Sequence, residues 1–129
     1  MLFRRGRVDQ PVRLGSEVGS TSGDVLLDTV LQADGIAVNY GVFKPGARTF
    51  WHTHSHGQLF FIDGGRGMIA TREDGIQVVA AGDIVWTPPG EEHWHGASPD
   101  TFVTYKAISM GTSTFLREVT DEEFARTWA

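Results

Sequence analysis

Gly46-Ala47-Arg48-Thr49-Phe50-Trp51-His52-Thr53-His54-Ser55-His56-Gly57-Gln58-Leu59-Phe60-Phe61-Ile62 is the stretch whose reading decides the fold. On a strand, alternate side chains point to one face, so His52 and His54 project both imidazoles the same way. Gln58 shares their parity and opens the next apolar run. A turn through Ser55–Gly57 brings its amide back over the pair. A second stretch, Gly82-Asp83-Ile84-Val85-Trp86-Thr87-Pro88-Pro89-Gly90-Glu91-Glu92-His93, supplies a further imidazole after a Pro-Pro-Gly turn. Neutral imidazole and amide oxygen suit Mn, Fe, Co, Ni or Zn. The pattern reads as one divalent transition metal per chain, held between two hairpins by His52, His54, Gln58 and His93. In the alternative, Gln58 only hydrogen-bonds nearby and the three His bind the metal.

The donor chemistry has a consequence. Three neutral His and one neutral Gln leave the charge of a divalent ion uncompensated. Such a site attracts anions and strongly polarises a bound oxygen.

Working outward, strand follows strand. Asp24–Leu31 and Gly35–Lys44 flank the turn Ala33-Asp34-Gly35. Arg48–His54, Gln58–Asp63, Gly67–Arg72, Ile76–Ala80, Asp83–Thr87, His93–Ala97 and Thr101–Ser109 follow, with Thr114–Val119 as a further strand. Turns are expected at Asp63–Gly67 and Glu73-Asp74-Gly75. Only the end reads as helix. Thr120 and Glu123 form a capping box ahead of Phe124-Ala125-Arg126-Thr127-Trp128. About ten short strands at regular spacing indicate an all-β fold, a closed antiparallel barrel or a double-sheet jelly roll.

By parity, Phe50 should accompany His52 and His54, and Phe60 and Ile62 should accompany Gln58. On Gly35–Lys44 the inner face is either Val38, Tyr40 and Val42 or its complement. A small barrel with such walls suits a small organic molecule.

Length and composition narrow the classes further. The chain has 129 residues, which is one domain by size. No run of about 18 apolar residues is present, so no membrane helix is expected. The basic start, Met1-Leu2-Phe3-Arg4-Arg5-Gly6-Arg7, lacks a following apolar core and does not read as a signal peptide. It reads as a solvated arm. There is no cysteine, hence no disulfide framework and no thiol catalysis, and a cytoplasmic location is the default expectation. A net charge of −5 argues against nucleic-acid binding. The glycines read as hairpin turns, not as a phosphate loop.

The two stretches are similar to the two cupin motifs, over about residues 38–108. That resemblance implies a small single-domain cupin spanning 1–129: a double-stranded β-helix, or jelly-roll barrel, with an N-terminal arm to about residue 22 and a short C-terminal helix at 120–128. It also implies metal ligation by His52, His54, Gln58 and His93. Here Gln58 stands where cupins often carry an acidic ligand, and Ala97 where an Asn often closes the second motif. A narrower resemblance is to the manganese-dependent cupin hydroxynitrile lyases. It rests on Pro45-Gly46-Ala47-Arg48-Thr49, His52-Thr53-His54, Gly57-Gln58, Gly82-Asp83-Ile84-Val85-Trp86 and His93-Trp94-His95-Gly96-Ala97. Those proteins share the Gln, and the resemblance as a whole implies manganese, with Fe, Zn, Ni or Co as alternatives. At the position matching Tyr105 they carry a His that serves as base. Tyr is a much weaker base, with an ordinary pKa of ~10. Cupins of this size are commonly dimers, and a homodimer formed through the strand Asp24–Leu31 and its preceding arm is expected.

Two residues are candidates for catalysis. His95 shares the face of His93 and can carry a proton or orient a substrate. Tyr105 shares a face with Val103 and Ala107 and can donate a hydrogen bond; the bland alternative is a buried, satisfied hydroxyl. His56 belongs to the turn and reads as a residue of the rim. Glu91 and Glu92 read as solvated, with support of His93 as the alternative. Asp121, Glu122 and Glu123 fit a helix start. The expected function is a metal-dependent enzyme acting on a small molecule, a lyase of a carbonyl or hydroxy compound resembling a hydroxynitrile lyase. The alternatives are an Fe(II)-dependent dioxygenase and a non-catalytic metal- or ligand-binding cupin.

Overall fold

The computed structural model describes residues 1–5, 13–14, 19–73 and 75–128. Gly6 and Arg7 of the basic cluster, and Asp74 of the expected turn, lie outside the described residues. Among the described residues there are twelve strands and one helix. The strands are β1 (Arg13–Leu14), β2 (Thr21–Ser22), β3 (Val25–Ala33), β4 (Ile36–Phe43), β5 (Arg48–Thr49) and β6 (His52–His54). Then come β7 (Gln58–Thr71), β8 (Gly75–Ala80), β9 (Ile84–Thr87), β10 (His93–Ala97), β11 (Val103–Met110) and β12 (Ser113–Phe115), and the helix α1 (Asp121–Thr127). Every pairing is antiparallel. The paired path runs β1-β3-β4-β11-β7-β10-β5-β2, with β8 and β9 on β7 and with β6 between β10 and β12. The result is a nearly closed barrel with one C-terminal helix.

Local chemistry sets the turns. At the β3–β4 hairpin Asp34 and Gly35 both take positive φ, 51° and 78°. That is the backbone a tight two-residue hairpin requires, and Asp-Gly is among its preferred sequences. Within the part expected as an arm, β1 pairs with β3 and β2 with β5.

Two expected elements differ. The turn at Asp63–Gly67 is absent: the expected strands Gln58–Asp63 and Gly67–Arg72 merge into one 14-residue strand, β7, that ends at Thr71. The glycines serve close approach there instead of chain reversal. A Cβ at Gly65 would collide with the Phe102 carbonyl, and one at Gly67 with the Gly96 carbonyl. A register shift against β11 leaves Asp63 as the extra residue of a bulge. The bent strand serves both halves of the barrel, pairing β11 and β9 first and β10 and β8 afterwards.

Conversely, Arg48–His54 is not one strand. It breaks between β5 and β6, and Trp51 turns outward into an apolar cluster with Met68, Trp94, Val119 and Phe124. The break upsets the parity argument. Phe50 is half-buried and does not line the cavity, whereas Thr49 does. The final strand is also shorter than expected, Ser113–Phe115.

The helix begins where its chemistry dictates. Thr120 Oγ1 accepts from the Glu123 amide at 3.1 Å, and the Glu123 carboxylate accepts from the Thr120 amide at 3.2 Å. Arg48 fastens this end to the barrel, donating to the Val119 carbonyl and, at 2.6 Å, to Asp121. The main core lies between the sheets, around Phe43, Phe60, Ile62, Val103 and Tyr105.

Candidate metal centre and cavity

Four strands carry the candidate site. His52 and His54 come from β6, Gln58 from the start of β7, His93 and His95 from β10, and Tyr105 from β11. His93 lies directly opposite His52 in the β10–β6 pairing. The imidazoles converge: ring centres are 4.2 Å apart for His52 and His93, 4.9 Å for His52 and His54, and 5.3 Å for His54 and His93. All are buried, His93 completely at 0% exposure.

The second ring atom of each His explains its orientation. His52 Nδ1 donates to the Phe50 carbonyl at 2.8 Å, and His93 Nδ1 to the Glu91 carbonyl at 3.0 Å. A nitrogen that donates to a carbonyl carries the proton, so each Nε2 presents a lone pair inward. His54 Nδ1 pairs with Ser113 Oγ at 2.8 Å, and its Nε2 is buried with no hydrogen-bond partner. Gln58 is held similarly. Its Nε2 donates to Ser109 Oγ at 3.0 Å, which aims Oε1 at His93 Nε2, 3.3 Å away.

The electrostatics agree. Burial lowers the pKa of His52 well below 6.5, assisted by His93; burial, then His93, lowers His54 to about 4. Burial likewise lowers His93 and His95. Neutral imidazoles are the form that binds metal. The unpartnered Nε2 of His54, the inward lone pairs of His52 and His93 and the aimed oxygen of Gln58 fit a divalent cation.

The nitrogens of His52, His93 and His95 lie within 4.8 Å of one another, a grouping that among the described residues does not include His54, so His95 competes with His54 for a place beside His52 and His93. His95 faces the cavity side of the cluster. Its ring stands 5.6 Å from Phe43, 4.6 Å from Phe60 and, edge-on, 5.4 Å from Tyr105. Tyr105 is buried and stacks on Phe60 at 4.2 Å. Burial raises its pKa above the ordinary 10, so it stays protonated and acts as a donor.

Beside the cluster opens a cavity of about 720 Å³, lined by His52, His54, Gln58, His95 and Tyr105 among others. On β4 the inner face is the complement one, with Ala37, Asn39 and Phe43. Phe60 and Ile62 share the inward face of Gln58 but pack behind the lining, in the core. His56 is exposed, its Nδ1 3.1 Å from Ser55 Oγ, and stays outside the cluster. Glu92 pairs with Arg72 at 3.1 Å, and Glu91 supports His93 through its carbonyl. Sequence reading missed Ser109 and Ser113. Parity points to Ser109, which continues the face of Val103, Tyr105 and Ala107; nothing in the sequence singles out Ser113.

Comparison with known proteins agrees with this geometry. An (R)-mandelonitrile lyase of Granulicella tundricola is 42% identical over 113 residues, covering 81% of this chain and 86% of that one. A cupin-like protein of Thermotoga maritima superposes with a TM-score of 0.81 at 29% identity, over 98% of this chain and 96% of that one. The polyketide cyclase RemF of Streptomyces resistomycificus shares the fold alone, with a TM-score of 0.72 at 16% identity, over 100% of this chain and 94% of that one. Residues 39–105, which run from the inner face of β4 through both histidine stretches to Tyr105, match the cupin domain, and the chain belongs to that family.

Proposed function

We propose that the protein is a metal-dependent lyase that cleaves small hydroxy compounds to carbonyls, as a hydroxynitrile lyase does. The observation that carries this reading is the inward convergence of His52, His54, Gln58 and His93 beside a cavity that also holds His95 and Tyr105. The similarity to an (R)-mandelonitrile lyase supports it. His52, His54, Gln58 and His93 would hold one divalent metal, manganese by resemblance, which supplies Lewis-acid polarisation of a substrate oxygen. The unpartnered Nε2 of His54 and the aimed Gln58 oxygen favour this set over the one containing His95.

His95 is then left for proton transfer. Neutral because buried, it takes the substrate hydroxyl proton. The carbonyl forms as the carbon–cyanide bond breaks, the bond pair leaves with cyanide, and His95 returns the proton to give hydrogen cyanide. Tyr105, kept protonated, donates a hydrogen bond at the position where the resembling enzymes carry a His base. Leu27, Phe43 and Ala107 on the cavity wall orient the rest of the substrate.

We place the chain in the cytoplasm as a homodimer; no helix among the described residues is long and apolar enough to cross a membrane. Light scattering after size-exclusion chromatography tests the dimer, and a monomer mass refutes it. The functional test is elemental analysis alongside a mandelonitrile cleavage assay. One manganese per chain with cyanide release is expected. No bound metal, even after reconstitution, would overturn the ligand assignment. Iron with no cyanide release would turn the reading toward oxygen chemistry.

A further inference from the structure

The cavity extends well beyond the histidine cluster, and its far end has a chemistry of its own. Gln58, Ser109 and Ala37 form one cross-strand row on β7, β11 and β4, and Phe60, Ala107, Asn39 and Thr29 form the next, ending on β3. Asn39 is thus two strands from β7, about 12 Å from Gln58 by strand spacing and rise. The floor between them is built from the small residues Ala37 and Ala107. Thr29 Oγ1 donates to Asn39 Oδ1 at 2.6 Å. That bond takes one lone pair of the amide oxygen, and Nδ2 is the donor the Asn39 side chain has to offer.

Charge points the same way. The chain carries 16 acidic residues against 11 basic ones, yet among the described residues no Asp or Glu lines the cavity. Arg4 does line it, from the solvent side. With no acid among its described lining residues, a half-buried donor amide and an exposed guanidinium, the cavity favours a negatively charged group.

We infer that the substrate is an elongated hydroxy or carbonyl compound with a carboxylate at the end remote from the histidines, read by Asn39, with Arg4 adding positive charge to the cavity lining. This inference rests on the lyase reading for the position of the reacting oxygen and adds the substrate class. A benzene ring bearing the two groups para to each other has about the required length.

The test is calorimetric binding to the metal-loaded protein, comparing 4-formylbenzoate with 4-methylbenzaldehyde. The carboxylate probe is expected to bind about 10-fold more tightly, as hydrogen bonds to a charged group predict. Arg4→Ala should lower that ratio several-fold. The isosteric Asn39→Asp should bring it to one or below, with metal content unchanged. Equal binding of the two probes overturns this inference alone. A preference that survives both substitutions also overturns it, because the carboxylate is then held at the histidine end. Binding of neither probe overturns both this inference and the reading of the site beneath it.

Discussion

Gln58 Oε1 stands 3.3 Å from His93 Nε2 because Gln58 Nε2 is spent on Ser109 Oγ at 3.0 Å. One hydroxyl on β11 therefore decides which end of a neutral amide faces the histidines. Ser109→Ala frees the amide to rotate. Metal affinity, read by chelator competition, should fall about 10–100-fold, as for other residues that orient ligands. Unchanged affinity would remove Gln58 from the ligand set.

His54 and His95 compete for the same assignment, and two substitutions separate them. His54→Ala should abolish stoichiometric metal binding. His95→Ala should retain metal and lose about 100- to 10,000-fold in turnover, the range of general acid–base catalysis. The reverse pattern in elemental analysis would assign the metal to His52, His93 and His95.

Tyr105→Phe removes a hydroxyl while keeping the ring stacked on Phe60. Turnover should drop about 10-fold or more, with metal content unaltered. Because burial raises the Tyr105 pKa, its ionisation should contribute no limb to the pH–rate profile below pH ~10. Full activity in the variant would reduce Tyr105 to packing.

Gly41 lies opposite Tyr105 on β4, and a Cβ there would stand 2.7 Å from the Tyr105 hydroxyl oxygen. Gly41→Ala should cost about 1–3 kcal/mol in a denaturant titration, as overpacking does. Gly41→Ala combined with Tyr105→Ala should cost less than the two single substitutions summed, because the ring carbon Cζ nearest to that Cβ is then gone. A neutral single substitution would show that the ring has room to move.

Acid should weaken the metal-free protein in two stages. His52, His54, His93 and His95 are all held below the ordinary 6.5, His54 at about 4, chiefly by burial. The unfolded chain therefore binds protons that the folded chain refuses. Their stabilising contribution is complete above about pH 6.5 and is lost as pH falls through the folded values. Glu123, held at about 2 by Arg117, adds a smaller loss between about 4.5 and 2. The thermal midpoint should decline steadily from pH 7 to 4. A flat profile would mean that the histidines are not buried neutral in solution.

Much of this architecture was legible because strand parity and turn chemistry are local. The spacing of His52, His54 and Gln58 brought them together as expected, and the Thr120–Glu123 capping box marked the helix start. What failed was non-local. Gly64 and Gly65 read as a turn, but they permit β7 to pass tightly against Phe102 and its neighbours, a fact visible only from the strand packed there. Phe50 misled because Trp51 is drawn outward by Trp94 and Phe124, residues far along the chain. Ser113 holds His54 from β12, whose short exposed sequence carries no signal.

The bent strand β7 has a consequence for synthesis. His52, His54 and Gln58 emerge from the ribosome together, but His93 follows Gln58 by 35 residues and reaches it only after β7, β8, β9 and β10 have been laid down. A nascent chain thus carries three of the four proposed ligands and lacks the last until its second hairpin closes. Under the proposed ligand set, tight capture of a metal would be a late event, available only once β10 has joined β6 and β7.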